Sequence, residues 1–259
     1  MTIGFDFSTK VAIVTGGTKG IGRGIAERFL EAGAEVVVCG RGEPEDLPAH
    51  ADRTAHFIAA DVRDVEQIAT VVRFATDRCG RIDILINNAG GAPPADAATV
   101  SPRFSEKIVQ LNLLAPLNFA QQANRVMQQQ ESGGAIVNIA SVSALRPSPG
   151  TAAYGAAKAG VINLTQSLAV EWAPRVRINA IAAGMIRTEQ ADLHYGDAAG
   201  IAAVEATIPL QRLGEPRDVA DACLYLASPL SSYVSGATLV LHGGGEKPAF
   251  LGAATAKKS

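Results

Sequence analysis

Tyr154 and Lys158 stand four residues apart, and Ser141 precedes the tyrosine by thirteen, in the stretch SVSALRPSPGTAAYGAAKAG. From Ala152 onward (AAYGAAKAGVINLTQSLAVEW) the chain is rich in Ala and Leu and free of proline until Pro174, so it reads as a long helix. Positions i and i+4 of a helix share one face, and a phenol and an ammonium there project together. Tyrosine is a poor proton donor at neutral pH because its ordinary pKa is about 10. A cation fixed beside it favours the phenolate. Bringing the value near 7 takes about three units, or roughly 4 kcal/mol of differential stabilisation. The pair is then an acid–base catalyst for alcohol and carbonyl chemistry. Both residues are common, so the spacing gains its weight from its company.

That company begins at the N-terminus. Residues 10–15 (KVAIVT) form a short apolar run, followed by GGTKGIGRGIAERFLEAG. Ile21, Ile25, Ala26, Phe29 and Leu30 fall at helical spacing and Gly33 closes the pattern, which predicts strand, glycine-rich turn and helix. Glycines there permit a sharp turn and close approach of a ligand to the peptide groups, while the start of the helix offers free N–H groups to a diphosphate. The spacing is Thr-Gly-x-x-x-Gly-x-Gly, at Thr15, Gly16, Gly20 and Gly22, and differs from G-x-G-x-x-G because Ile25 stands at the third glycine position. A tight strand–helix connection without a ligand would also produce it.

TGGTKGIG, then NNAG at residues 87–90, then Asn112, Ser141, Tyr154 and Lys158 together resemble the short-chain dehydrogenase/reductase family over nearly the whole chain, from about residue 10 to 245. The resemblance implies an NAD(P)-dependent oxidoreductase that interconverts a hydroxyl and a carbonyl group by hydride transfer. It implies catalytic roles for Asn112, Ser141, Tyr154 and Lys158. Tyr154 is the general acid or base, and Lys158 lowers its pKa and bonds the nicotinamide ribose. Ser141 holds the carbonyl oxygen; Ser143 is a nearby rival, but the thirteen-residue offset selects Ser141. Asn112 supports a water-linked proton path. Cofactor contacts are expected from Gly16, Thr18, Lys19, Gly20, Ile21 and Gly22 in the turn and from Asp61 and Val62 at the adenine. Asn87, Asn88, Ala89 and Gly90 are expected along the cofactor path, Gly184, Ile186 and Thr188 at the nicotinamide end, and Tyr154 and Lys158 again beside the cofactor. A homotetramer is also implied. Two other classes carry some of these features: a dinucleotide sensor without catalysis, and a nucleotide-sugar epimerase, which has a longer chain and different glycine spacing.

The elements that must position these residues alternate. Strands are expected over 11–15, 35–39, 54–59, 82–86, 135–139, 177–182 and 238–241, and helices over 65–77, 102–130, 152–172 and 216–227. Apolar strands separated by helices predict one doubly wound α/β domain with a parallel sheet covered on both faces, a Rossmann fold. Ligands of such sheets bind beyond the carboxyl ends of the strands. The motifs cluster there, after the first, third, fourth, fifth and sixth strands. With 259 residues, 47% hydrophobic and 19% charged, the chain can bury such a core. A net charge of −2 gives no reason to expect nucleic acid or an anionic membrane as partner. No apolar run approaches spanning length, and the polar opening MTIGFDFSTK does not read as a signal peptide, so a cytoplasmic protein is expected. Cys39, Cys79 and Cys223 are too scattered for metal spacing and read as reduced packing residues; the four histidines are scattered too, and no metal site is expected.

Cofactor choice turns on the end of the second strand. An acid there would favour NAD, but the chain has Val38-Cys39-Gly40-Arg41, with Lys19 in the glycine-rich turn. Two cations suit a 2′-phosphate, so NADP(H) is favoured, with NAD(H) possible. Glu43, Glu45 and Asp46 would oppose that phosphate if they folded inward. The chain departs from the family at Ala183-Gly184, where Pro-Gly is usual, and at His242-Gly243-Gly244, where Asp-Gly-Gly is usual. Both departures bear on pocket shape. Ala92, Pro93, Leu145, Pro147, Met185 and Leu193 are expected to border an apolar alcohol or ketone, and Arg146 or Arg187 could hold an anionic one.

Overall fold

Runs such as VAIVT and EVVVC carry no polar alternation, so both faces of each strand must be covered. The chain meets this with one parallel sheet between two helical layers. The computed structural model describes residues 5–189, 191 and 195–253. β1 (Val11–Thr15), β2 (Glu35–Gly40), β3 (His56–Ala59), β4 (Ile84–Asn87), β5 (Gly134–Ser141), β6 (Val176–Ala183) and β7 (Thr238–Leu241) form a seven-stranded sheet in the order β3-β2-β1-β4-β5-β6-β7. Every neighbouring pair is parallel. The order reverses between β1 and β4, which opens a crevice at their carboxyl ends.

Helices α1 (Gly20–Glu31), α2 (Val65–Cys79), α3 (Pro102–Val109), α4 (Ala115–Met127), α5 (Ala152–Trp172), α6 (Ala198–Thr207), α7 (Pro216–Ala227) and α8 (Ala249–Ala253) connect or follow the strands. On one face Ile25 and Phe29 of α1 and Val219 and Leu224 of α7 pack on Val14, Val36 and Ile86. On the other, Ile68 of α2, Phe119 and Met127 of α4 and Leu168 of α5 pack on Ile13, Leu85 and Ile136. Asp64 caps α2 by accepting from the amides of Glu66 and Gln67, and Gly80, at φ 76°, ends it in the left-handed region. Among the described residues no helix is long and apolar enough to cross a membrane.

Two expectations about elements need correction. The strand expected over 54–59 divides: Arg53–Thr54 pairs back antiparallel on Ala49–His50, and β3 starts at His56. Residues 102–130 do not form one regular helix. Gln110–Leu114 is a π-helical turn between α3 and α4, closed by the bond from Ala115 N to Gln110 O. The reason is local. Pro116 has no N–H to give the carbonyl four residues back, at Asn112, and its ring would clash with that carbonyl. A π turn absorbs the misfit.

Candidate active site

Thr15, at the end of β1, ties the glycine-rich turn to the end of β4. Its hydroxyl accepts from the amides of Asn88 and Ala89, both at 2.9 Å, and Asn88 Nδ2 donates back to the Thr15 carbonyl at 2.9 Å. Gly16 and Gly20 sit at φ 62° and 55°, where side chains are strained. A Cβ on Gly22 would lie 2.2 Å from the Gly16 carbonyl oxygen. The turn can therefore close only on glycine. The N-cap Lys19 makes no side-chain cap bond and the first turn of α1 holds no acid, so among the described residues no cap bond occupies the N–H groups at its positive dipole end, which suit an anion.

These groups open onto a cavity of about 740 Å³ at the carboxyl edge of the sheet. Gly16, Thr18, Lys19, Gly20, Ile21, Gly22, Arg41, Asp61, Val62, Asn88, Ala89, Gly90, Ser141, Tyr154, Lys158, Gly184 and Thr188 all line it. The volume of the crevice, its glycine floor and the start of α1 fit a dinucleotide. Asn87 does not line it: its side chain is buried and bonds the Pro116 carbonyl at 3.1 Å and Asn138 Oδ1 at 2.9 Å, so it braces β4 and β5. Ile186 also lies off the wall. Its side chain is buried in the core, while its backbone bridges Gly214 through the amides of Arg187 and Gly214. Leu193 lies outside the described residues.

Ser141 ends β5, and its Oγ accepts from the Ser143 amide at 3.1 Å, so the two serines are tied in a short turn. Only Ser141 of the two lines the cavity among the described residues. The i, i+4 geometry of α5 holds: Lys158 Nζ lies 5.7 Å from the Tyr154 ring centroid. The electrostatic consequence differs from expectation. Burial raises the Tyr154 phenol above its ordinary value, opposed by a hydrogen bond with the Ser141 side chain. Burial also lowers the Lys158 ammonium to about 8. The physical reason is desolvation. Lys158 is 3% exposed and its Nζ donates to the Ile139 carbonyl at 2.7 Å, so both groups leave water before the cation can acidify the phenol.

Asn112 is fully buried in the π turn. Its Oδ1 accepts from the Gly91 amide at 2.8 Å, and its Nδ2 donates to the carbonyls of Gly91 and Ile108 at 2.9 and 3.0 Å. It thus clamps the loop after β4 instead of lining the cavity. A Cβ on Gly90 would lie 2.7 Å from Asn112 Oδ1 and 3.2 Å from Lys158 Nζ, so the three residues converge.

Charge is distributed unevenly along the crevice. Arg41 and Lys19 are both exposed and both line it. Asp46 is drawn away by Arg23, at 2.6 Å, so it does not fold inward against them. Arg146 and Arg187, considered for an anionic substrate, are engaged by Glu246 at 2.6 Å and Glu205 at 2.8 Å. Met185, expected at the pocket, packs with Ile201, Ile208 and Leu213 in a small apolar cluster and does not line the crevice. Among the described residues, two charged lining residues escaped the sequence reading: Arg63 and Glu189. Arg63 follows Asp61 by two at a strand end, a spacing that could have flagged it; nothing in the local sequence marks Glu189.

A parallel sheet with a nucleotide crevice at its switch point, and Ser141, Tyr154 and Lys158 on the wall, defines a dinucleotide-dependent enzyme class. A family model described as enoyl-(acyl carrier protein) reductase matches residues 16–246. A 3alpha-hydroxysteroid dehydrogenase of Mediterraneibacter gnavus is 38% identical over 242 residues, covering 90% of this chain and 96% of that protein. A 3-oxoacyl-[acyl-carrier-protein] reductase of Vibrio harveyi is 36% identical over 238 residues, covering 91% and 96%. The structure of an aldohexose dehydrogenase of Thermoplasma acidophilum superposes with a TM-score of 0.84 at 31% identity, covering 98% of this chain and 99% of that one. The chain belongs to the short-chain dehydrogenase/reductase family. Its activity is accordingly that of an NAD(P)-dependent oxidoreductase acting on CH–OH and C=O groups by hydride transfer.

Proposed function

We propose that this enzyme interconverts a hydroxyl and a carbonyl group on an uncharged, largely apolar small molecule, with Tyr154 as the acid–base group and NADP(H) as the favoured dinucleotide. The observation that carries the reading is the convergence of Ser141, Tyr154 and Lys158 on the wall that the glycine-rich turn also lines. In the reducing direction Ser141 holds the substrate oxygen and Tyr154 gives it a proton. A nicotinamide dinucleotide, when bound in this crevice, would supply the hydride for the carbonyl carbon. Lys158 stands behind the phenol, and its charge stabilises the phenolate left after proton transfer. Asn112 keeps the loop after β4 closed on the lysine side.

For NADP(H), the support is Arg41 and Lys19 on the crevice wall together with the removal of Asp46 by Arg23. For an uncharged substrate, it is the prior engagement of Arg146 and Arg187 by glutamates. The hydroxysteroid named for the Mediterraneibacter relative belongs to that chemical range. A homotetramer is part of the same reading. Val170 on α5 and Leu239 and Val240 on the edge strand β7 are exposed apolar surface that a neighbouring subunit would cover. Light scattering that gives any mass other than four chains would remove that part.

The test of the reaction is oxidation of NADPH and of NADH, followed at 340 nm against hydroxysteroid-derived ketones, small ketones and acyl thioesters. Tyr154→Phe is expected to lower kcat with an accepted ketone by about 10²–10⁴-fold while dinucleotide binding survives. Retention of most activity in that variant would defeat the assignment of Tyr154. Binding with no turnover on any ketone would favour a sensor.

A further inference from the structure

Arg63 lies in the loop between β3 and α2, two residues beyond Asp61. Its guanidinium grips the Asp61 carboxylate as a fork, with Nε 2.9 Å from Oδ1 and Nη2 2.5 Å from Oδ2. Nε also reaches Oδ2 at 3.2 Å, and the Arg63 amide adds a further bond to Oδ1 at 3.0 Å. Both residues line the dinucleotide crevice, and so does Arg41. Arg41 is the other cation whose field reaches Asp61. Among the described residues Arg41 and Lys19 enter no ion pair; of the acids in this region Asp61 is held by Arg63 and Asp46 by Arg23, while Glu189 on the crevice wall pairs with neither cation.

A purely structural role for the fork is poorly supported. The start of α2 is already secured by Asp64, and the Asp61 amide donates to Gln67 Oε1 at 2.8 Å. These bonds hold the loop without the Arg63 side chain. The guanidinium instead changes the charge that the crevice presents. A bare Asp61 carboxylate would act twice against a phosphate at the adenine end, by repelling it and by recruiting Arg41.

We propose that Arg63 is a specificity-determining positioning residue: by occupying Asp61 it leaves Arg41 free and keeps the adenine end of the crevice receptive to the 2′-phosphate of NADP(H). The inference rests on reading this crevice as a dinucleotide site. Arg63 needs no contact with the ligand. Its effect is a difference between two dinucleotides that share everything but that phosphate.

The experiment measures dissociation constants of NADPH and NADH, without substrate, by the fluorescence of the reduced nicotinamide. The proteins are the wild type, Arg63→Met, Arg63→Lys, Asp61→Asn and the Asp61→Asn/Arg63→Met double variant, each checked for an unchanged melting profile. Arg63→Met is expected to weaken NADPH about tenfold and NADH less than about threefold, because only one of them carries the extra charge. The double variant is expected to restore the NADPH/NADH ratio, and Arg63→Lys to keep it within about threefold of wild type. The ratio change should shrink in high salt. Equal weakening of both dinucleotides would reduce Arg63 to a brace, and no change in either would make it a bystander. A ratio left unrestored in the double variant would break the link through Asp61. A wild type that prefers NADH counts against the cofactor preference alone, since the shift on Arg63→Met still decides the role of Arg63. A wild type that binds neither dinucleotide ends both readings.

Discussion

Lys158→Met should make the dinucleotide-free protein more stable at neutral pH, and the gain should disappear as the pH is raised. Lys158 is 3% exposed, and burial alone takes its ammonium from an ordinary 10.5 to about 8. At about 1.4 kcal/mol per unit, the folded chain carries a penalty of roughly 3 kcal/mol for the charge at pH 7. Because the group is buried, solvent screening does not discount this figure. Methionine fills a similar volume without charge, but it leaves the Ile139 carbonyl without the donor now at 2.7 Å, which costs about 1 kcal/mol. The net gain is about 2 kcal/mol, or about 4–8 °C in Tm for a chain of this size. The pH dependence follows from the depressed value. Below about 8 both folded and unfolded chains hold the proton, so the full penalty applies. Between about 8 and 10.5 the unfolded chain binds the proton more strongly, so wild-type stability rises with pH. By pH 9.5 the wild type should have recovered about 2 kcal/mol, which cancels the advantage of methionine. Urea unfolding of both proteins at pH 7 and 9.5, at one protein concentration, reads this directly. A variant no more stable than wild type at pH 7, or a gain that ignores pH, would refute the argument that Lys158 is held charged at the cost of stability.

The same titration predicts that kcat/KM for carbonyl reduction falls as pH rises through about 8, where the free enzyme loses the charge on Lys158. Lys158→Arg, which stays protonated, should move that limb upward if the variant retains activity, and a pH–rate profile checks both statements. Gly22→Ala puts a methyl group 2.2 Å from the Gly16 carbonyl oxygen, a backbone atom that cannot step aside. Dinucleotide affinity should fall more than about tenfold, with a stability loss of about 1–3 kcal/mol. Titration calorimetry and thermal melts measure the two effects separately, and unchanged binding would mean that the turn does not carry the ligand.

Much of the fold was legible because its signals are local. The four buried residues 11–14 of β1 and the apolar spacing of Ile25 and Phe29 each follow from neighbours a few residues away. Where local signals compete, the boundaries moved. Thr54 has strand propensity, but a reversal at Ala51, with φ 52°, turns it onto Ala49 instead of into the sheet. Pro116 was visible, yet its effect on the register at Asn112 depends on how the strained carbonyl is accommodated.

The chain by itself determined which chemistry is present. A phenol and an ammonium at i, i+4 on a helix, and glycines where a strand meets a helix, fix what can react and what can approach, because covalent spacing and helical period are intrinsic to the sequence. Only the tertiary structure decided the environment. It turned Asn87 inward as a brace, locked Asn112 onto Gly91, and set Arg63 on Asp61. It also buried the Tyr154–Lys158 pair, so that loss of water, not the attraction between the two groups, dominates both acidities in the dinucleotide-free protein. Desolvation depends on atoms brought from distant parts of the chain, and no spacing of letters records it.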